Sequence, residues 1–398
     1  MELTVAANYD LAAVAELAKH PVTEVYGKFA ADLVGGGRPS YMGTPLTPRQ
    51  LQIYVDALRD HGIAFNYLLN SSCLGNQEWS RRFQRRFLRL LDRLLGMGIR
   101  RLTVSTPFLL ERIKCARPEF RVKAGIYAQI DTPRRARFWQ ELGADALNLE
   151  SFSINRDFAR LRAIRDAVEC ELVLIANHPC LPNCPLQPYH QNLFAHASDG
   201  SRQLMIDYCF LRCTAERIRD LSLFLKSQWI RPEDIHLYEA MGYNTFKLIE
   251  RDMPTPDLLA RVAAYSSRRS PANLADLILP YGFRQTKNRS RFWLLKHFFR
   301  PWQIAPWRLR PLYEVVRRHG MLFALEKRPV IIHSDRLPTD FAEVVGGTDC
   351  LGDACTSCHY CDRIAKGAVE IDPQARDQLL AELERTLDQL TSGALWHV

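Results

Sequence analysis

The chain has 398 residues, 47% of them hydrophobic, and carries a net charge of +9. That length holds one barrel-sized domain with an appendage, or two domains, and the ordinary composition excludes a low-complexity chain. The first residues have neither a basic nor an apolar leader pattern, and no run approaches the roughly 18 to 20 apolar residues that span a bilayer. Cytoplasmic residence is therefore expected. In that reducing compartment the 11 cysteines are read as ligands or free thiols rather than disulfides.

Short buried strands alternate with amphipathic helices from the first residues onward. Residues 3–8 read as a strand, 10–19 as a helix with Leu11, Val14 and Leu17 on one face, and 23–26 as a strand. After the loop at Gly35, Gly36 and Gly37, Thr47 and Pro48 open a helix through Arg59, with Thr47 as cap. Strands follow at 63–70, 101–105, 122–127, 144–149 and 171–176, with helices at 79–95, 107–116, 132–142 and 157–168. The helix at 79–95 is strongly basic. A helix is expected at 215–225 and a last barrel strand at 244–250, with Lys247, Glu250 and Arg251 at its exit. Helices at 259–265 and 275–279, a strand at 329–333 and a helix at 372–390 complete the reading. So many β/α units predict a closed (β/α)8 TIM-like barrel with a C-terminal cysteine-rich extension. The division expected is a barrel at 1–280, a basic aromatic segment at 281–328 and the extension at 329–398.

Chemistry in such a barrel sits where strands end and loops begin. The polar residues at those ends are Asn8, Tyr26, Asn66, Asn70, Gln129, Glu150, Asn177 and His178. Directly after the strand at 171–176 come Cys180 and Cys184, then Cys209 and Cys213, two pairs of identical spacing with His178, His190 and His196 among them. Paired thiols beside histidines point to a metal or iron–sulfur site. A second set, Cys350, Cys355, Cys358 and Cys361, lies in a loop with no long apolar run, where a metal is the natural ordering element. Its successive two-residue spacings resemble ferredoxin-type ligation, with a structural zinc as the alternative. The radical S-adenosylmethionine spacing C-x3-C-x2-C is absent. Cys73, Cys115 and Cys170 read as structural, although Cys73 follows a strand end. From Phe283 to Arg310, arginines and lysines interleave with Trp293, Phe298, Phe299, Trp302 and Trp307. That pattern fits a core cover with a solvated basic face, or a surface for nucleic acid, an anionic membrane or an acidic partner.

The opening unit through Val25-Tyr26-Gly27, Gln129 at its strand end, Leu142-Gly143-Ala144-Asp145, and Ile230-Arg231-Pro232-Glu233-Asp234 together resemble the collagenase-like peptidase U32 family over roughly residues 1 to 280. The resemblance implies a TIM-type barrel. It also implies kinship with proteins of oxygen-independent ubiquinone hydroxylation and of transfer or ribosomal RNA hydroxylation. In the quinone branch four cysteines hold a [4Fe-4S] cluster, which the resemblance places on Cys180, Cys184, Cys209 and Cys213. The spacings here differ from that branch, and the C-terminal cysteines are an addition. The leading expectation is an iron–sulfur oxidoreductase, hydroxylating or otherwise modifying a small organic or natural-product substrate. Asn66, Asn70, Gln129, Glu150, His178 and Lys247 would position that substrate, and a second [4Fe-4S] cluster or a zinc would sit on the C-terminal set. A ferredoxin or flavodoxin would be the electron donor, and a related subunit a possible partner. The alternatives are an RNA-modifying protein and a metal-dependent peptidase; no His-Glu-x-x-His occurs.

Overall fold

The computed structural model describes residues 1–199, 204–249, 253–278, 298–319, 329–350 and 354–396. Eight short runs form parallel strands; most carry β-branched or aromatic residues, whereas Ala146–Asn148 has none. They are β1 (Glu2–Ala6), β2 (Val22–Gly27), β3 (Ala64–Leu69), β4 (Arg101–Val104), β5 (Arg121–Ala124), β6 (Ala146–Asn148), β7 (Glu171–Ile175) and β8 (Thr245–Lys247). Each pairs with the next, and β8 returns to β1 with Thr245 opposite Glu2 and Lys247 opposite Thr4, so the sheet closes. The barrel expected from the alternation is the fold observed.

One helix follows each of the first six strands: α1 (Leu11–Leu17), α2 (Pro48–Asp60), α3 (Arg81–Gly96), α4 (Pro107–Ala116), α5 (Pro133–Glu141) and α6 (Phe158–Ala167). Their starts are written in the sequence. Thr47 and Gln50 form a reciprocal capping box for α2, Ser80 accepts from the Phe83 amide at α3, and Thr132 and Asp157 cap α5 and α6. α3 buries Phe83, Phe87, Leu91 and Leu94 and leaves Arg82, Arg85, Arg86, Arg89 and Arg93 exposed on its outer side.

Between β7 and β8 lie α7 (Gln187–Ala197), α8 (Tyr208–Arg219), α9 (Leu223–Lys226) and α10 (Ile235–Glu239), and α11 (Thr255–Ser267) and α12 (Ala275–Ile278) follow β8. Two of these differ from expectation. The stretch between the cysteine pairs is a helix, α7, with a proline in its first turn. The helix expected at 215–225 starts seven residues earlier, at Tyr208, because Asp207 accepts from the Phe210 amide at 3.0 Å and caps it there.

The remainder packs on the barrel's α8 side. It comprises α13 (Arg310–His319), β9 (Val330–Ile332), α14 (Phe341–Gly346), α15 (Ala354–Cys358), α16 (Tyr360–Ala368), β10 (Val369–Ile371) and α17 (Pro373–Thr391). β9 and β10 pair antiparallel, and Arg376 on α17 donates to the Ile218 carbonyl on α8 at 2.8 Å. Phe341, Val345, Leu379 and Leu383 join the same hydrophobic cluster as the barrel strands. Among the described residues no helix is long and apolar enough to cross a membrane.

The barrel interior is not wholly apolar. Glu24 on β2 meets Lys123 on β5 at 2.9 Å and Arg101 on β4 at 3.2 Å, and the Thr103 hydroxyl donates to Asn66 Oδ1 at 2.8 Å. Glu24 and Lys123 are both buried. Burial raises the Glu24 carboxyl, but Lys123 and Arg101 outweigh it and hold it below its ordinary value.

Candidate active site

At the carboxyl ends of the strands a cavity of about 290 Å³ opens, lined from β2, β3 and β8 by Tyr26, Asn70 and Lys247 and from the β7 side by His178, Cys180, Cys184, Cys209 and Cys213. The β7 segment is fixed by Asn177, which itself does not line the cavity. Its side-chain amide donates to the carbonyls of Ile249 and Leu277, at 2.5 and 2.9 Å, and its Oδ1 accepts from the Ile249 amide at 2.8 Å. Asn177→Ala removes the side-chain partner of the Leu277 carbonyl and the Ile249 amide, while the Ile249 carbonyl keeps Arg261, so an expected loss of about 2 kcal/mol follows, read by urea denaturation. An unchanged midpoint would show that water replaces the side chain at no cost.

His178 is buried. Its Nδ1 lies 2.9 Å from Ser151 Oγ, its Nε2 3.4 Å from Cys180 Sγ, and Phe152 packs edge-on at 4.6 Å. Burial drives its pKa down to about 4, so the ring is neutral near pH 7. The Ser151–Phe152 loop is held by Glu150, whose carboxylate accepts from the amides of Phe152 and Ser153 at 2.6 and 3.0 Å. Glu150 is thus turned back onto its own loop and supports His178 from behind rather than lining the cavity.

The second cysteine pair is presented by α8. Cys209, Cys213 and Arg217 follow one another at four-residue steps and so share one helix face. Arg217, which is buried, donates to Cys213 Sγ at 3.4 Å. The capping Asp207 also meets His190 Nε2 at 3.0 Å, which joins α7 to α8. Burial pushes the Cys180 thiol far up and the Cys209 thiol up to about 12, and raises Cys184 and Cys213 as well. Arg217 opposes that rise at Cys180, Cys184 and Cys213.

Lys247 stands with its Nζ 3.9 Å from the Tyr26 ring centre, and the Tyr26 hydroxyl donates to the Leu248 carbonyl at 3.0 Å. Gly36, in the loop after β2, lies where an added Cβ would come within 2.7 Å of Asn70 Oδ1, so a side chain there would push the Asn70 amide aside. α7 closes the cavity from above. Ser198 Oγ accepts from the Gly36 amide at 2.7 Å, and Ser72 donates to Asn192 at 2.9 Å.

The expected site residues therefore divide. Asn70, His178, Lys247 and the four cysteines meet in one cavity. Asn66 lies in the barrel interior, and Gln129 is a left-handed residue (φ 52°) whose carbonyl accepts from Arg135 at 2.9 Å. Neither they nor Glu150 are among the cavity's lining residues. Asn8 binds Thr255, and Cys73 accepts from the Gly75 amide, both away from the cavity. Glu250 and Arg251 lie outside the described residues, as does the basic aromatic segment up to residue 297. From its remainder, Phe298, Phe299, Trp307 and Tyr313 line a neighbouring apolar cavity of about 520 Å³ that shares Met42, Asp207 and Phe210 with the first. Arg217, Gln187 and Gln191 were not singled out in the sequence, although each continues a four-residue step from a neighbouring polar residue or from the other.

The C-terminal cysteines also converge. Cys350, Cys355, Cys358 and Cys361 line a pocket of about 20 Å³ together with Lys226, Thr348 and Tyr360. His359, at φ 50°, makes the turn between α15 and α16 that brings Cys358 and Cys361 to the same pocket. Burial raises the Cys361 thiol to about 11 against the pull of Arg156. Arg156 is itself buried, donating to the carbonyls of Leu225 at 2.6 Å and Trp229 at 2.8 Å, with Trp229 and Phe341 stacked at 5.9 Å and Phe341 and Tyr360 at 6.0 Å. Among the described residues no three His, Cys, Asp or Glu side chains are arranged to hold a single metal ion.

No family model matches the chain. It is 30% identical over 255 residues to the uncharacterized protease MJ1657 of Methanocaldococcus jannaschii, a match covering 64% of this chain and 75% of that protein. Among solved structures, the U32 peptidase Mk0906 aligns over 64% of this chain and 94% of that chain, with 20% identity and a TM-score of 0.49. A D-psicose 3-epimerase aligns over 50% and 82%, with 12% identity and a TM-score of 0.33. With three quarters of the archaeal protein matched at that identity, the chain belongs to the family of that uncharacterized protease.

Proposed function

We propose that the protein is an iron–sulfur redox enzyme that modifies a small organic substrate in the barrel-mouth cavity, by oxygen-independent hydroxylation or a related reaction. The observation that carries this reading is four cysteines from two separate segments lining one cavity at the catalytic end of a barrel. Burial keeps these thiols protonated, and a bound metal would supply the positive charge that lets them ionise. A four-iron cluster takes each thiolate on a different iron, so its ligands need not crowd together as those of one ion do. Cys180, Cys184, Cys209 and Cys213 would hold it, and when bound it would supply one-electron chemistry.

The rest of the cavity has work of its own. Arg217 offsets thiolate charge at Cys213, Lys247 and Asn70 orient the substrate, and neutral His178 holds a proton between Ser151 and Cys180. The C-terminal set would hold a second [4Fe-4S] cluster, with Arg156 as nearby counter-charge, and would relay electrons from a ferredoxin or flavodoxin.

Anaerobic purification with iron, sulfide and zinc analysis tests the reading: about eight irons and eight sulfides per chain are expected. About four irons with one zinc would make one set structural. Colourless protein with zinc alone would overturn the redox assignment.

A second reading, a cysteine peptidase, is favoured by the Cys180–His178–Ser151 alignment at 3.4 and 2.9 Å and by the name of the archaeal relative. Against it, burial pushes the cysteine up and the histidine down, toward a neutral pair rather than a reactive thiolate–imidazolium pair. A thiolate pair would be alkylated by iodoacetamide below pH 7, and metal-free protein that is alkylated there and cleaves peptides would establish it. RNA modification keeps its support in the exposed arginines of α3, which line a groove of about 550 Å³. RNA affinity that falls steeply with salt would favour it.

A further inference from the structure

Three buried polar atoms at the barrel mouth have no hydrogen-bond partner among the described residues. They are Asn70 Oδ1, Gln187 Nε2 and Gln191 Nε2. All three side chains line the same cavity, and Gln191 is only 5% exposed. Unsatisfied buried groups are rare and each costs free energy, so together they describe what the cavity is built to receive.

Gln187 and Gln191 are one helical turn apart on α7 and so present two N–H donors side by side. Neighbouring donors match the two oxygens of a carboxylate, and Lys247 adds positive charge to the wall. The negative charge nearby, Asp207, is already committed to the α8 cap and to His190. Asn70 Oδ1 is an acceptor and calls for a hydroxyl or N–H donor on the ligand. Phe152 and Phe194, also in the wall, offer flat apolar surface for a ring.

We propose that the cavity recognises a small aromatic hydroxy acid, its carboxylate on Gln187 and Gln191 and its hydroxyl on Asn70. This deepens the reading of the cavity as an active site, and it does not depend on which metal the cysteines hold.

The test uses the full metal-loaded chain and four probes: para-hydroxyphenylacetate, phenylacetate, para-cresol and toluene. Affinities are followed by ligand-observed and chemical-shift NMR titration, with metal content and circular dichroism recorded on every preparation. The expected order places the hydroxy acid first and toluene last. Gln191→Glu, which keeps size and shape but repels an anion, should weaken both acids about tenfold and leave para-cresol unchanged. Gln187→Leu should act in the same direction, and Asn70→Ala should weaken only the two hydroxylated probes. Failure of all four probes to bind would overturn the proposal, as would substitutions that weaken all four alike. Metal analysis on the same samples reports separately on the iron–sulfur reading, so the two can fail independently.

Discussion

Replacing Cys209 and Cys213 together with serine is expected to remove about four of about eight irons and leave the barrel folded. The fold tolerates the change because α8 is held by the Asp207 cap and by α17, through Arg376 on Ile218 and Arg219 on Glu384, not by its thiols. The Cys355/Cys358 double serine variant should remove the other four irons. It should also loosen the extension, because those residues sit on the five-residue α15 beside a pocket with few apolar side chains. Iron determination, the visible absorption spectrum and a thermal melt on both variants read the result. Retention of all iron in the Cys209/Cys213 variant would place the cluster elsewhere. The same variants separate the peptidase reading: hydrolysis by a Cys180 nucleophile would survive the loss of Cys209 and Cys213 and disappear in Cys180→Ser.

Lys123→Met should cost roughly 3–5 kcal/mol of unfolding free energy, because it leaves the buried Glu24 carboxylate with the partly exposed Arg101 as its remaining cation beside a hydrogen bond from Asn66. Glu24→Leu should be comparably damaging, since it strands the Lys123 ammonium. The double variant Glu24→Leu/Lys123→Met should recover much of either loss, as two apolar side chains replace two desolvated charges. The pH dependence carries a definite sign. Burial raises the Glu24 carboxyl, but its cations win and its folded pKa lies below the unfolded value. Its contribution is therefore fully present above the unfolded pKa and is lost as pH falls through the lower, folded one. In Lys123→Met the strongest opposing charge is gone, the carboxyl rises, and stability should improve toward acid relative to the parent. Urea denaturation between about pH 3 and 7 distinguishes these outcomes. Strictly additive single losses would mean that the pair is not coupled across the barrel.

The sequence alone carried the fold. Eight short buried strands, separated by helices with their own caps, admit few arrangements other than a closed parallel barrel, since period and capping are local properties. It also carried the cysteine sets, because ligand spacing and proximity to a strand end are visible in the chain. What it did not carry was which strand-end residues face the ligand. Asn66, Gln129 and Glu150 have the right chemistry at the right ends, yet one pairs inside the barrel, one turns its backbone left-handed and one folds onto its own loop. Those outcomes depend on pairing register and on loop packing against distant segments, which no local pattern encodes. Arg217, Gln187 and Gln191 became site residues only when α7 and α8 folded over the barrel mouth, where Ser198 and Asn192 bond Gly36 and Ser72 at separations of 162 and 120 residues. Hydrophobic period and caps set the elements locally; long-range packing across the closed barrel decided which polar groups share one buried space.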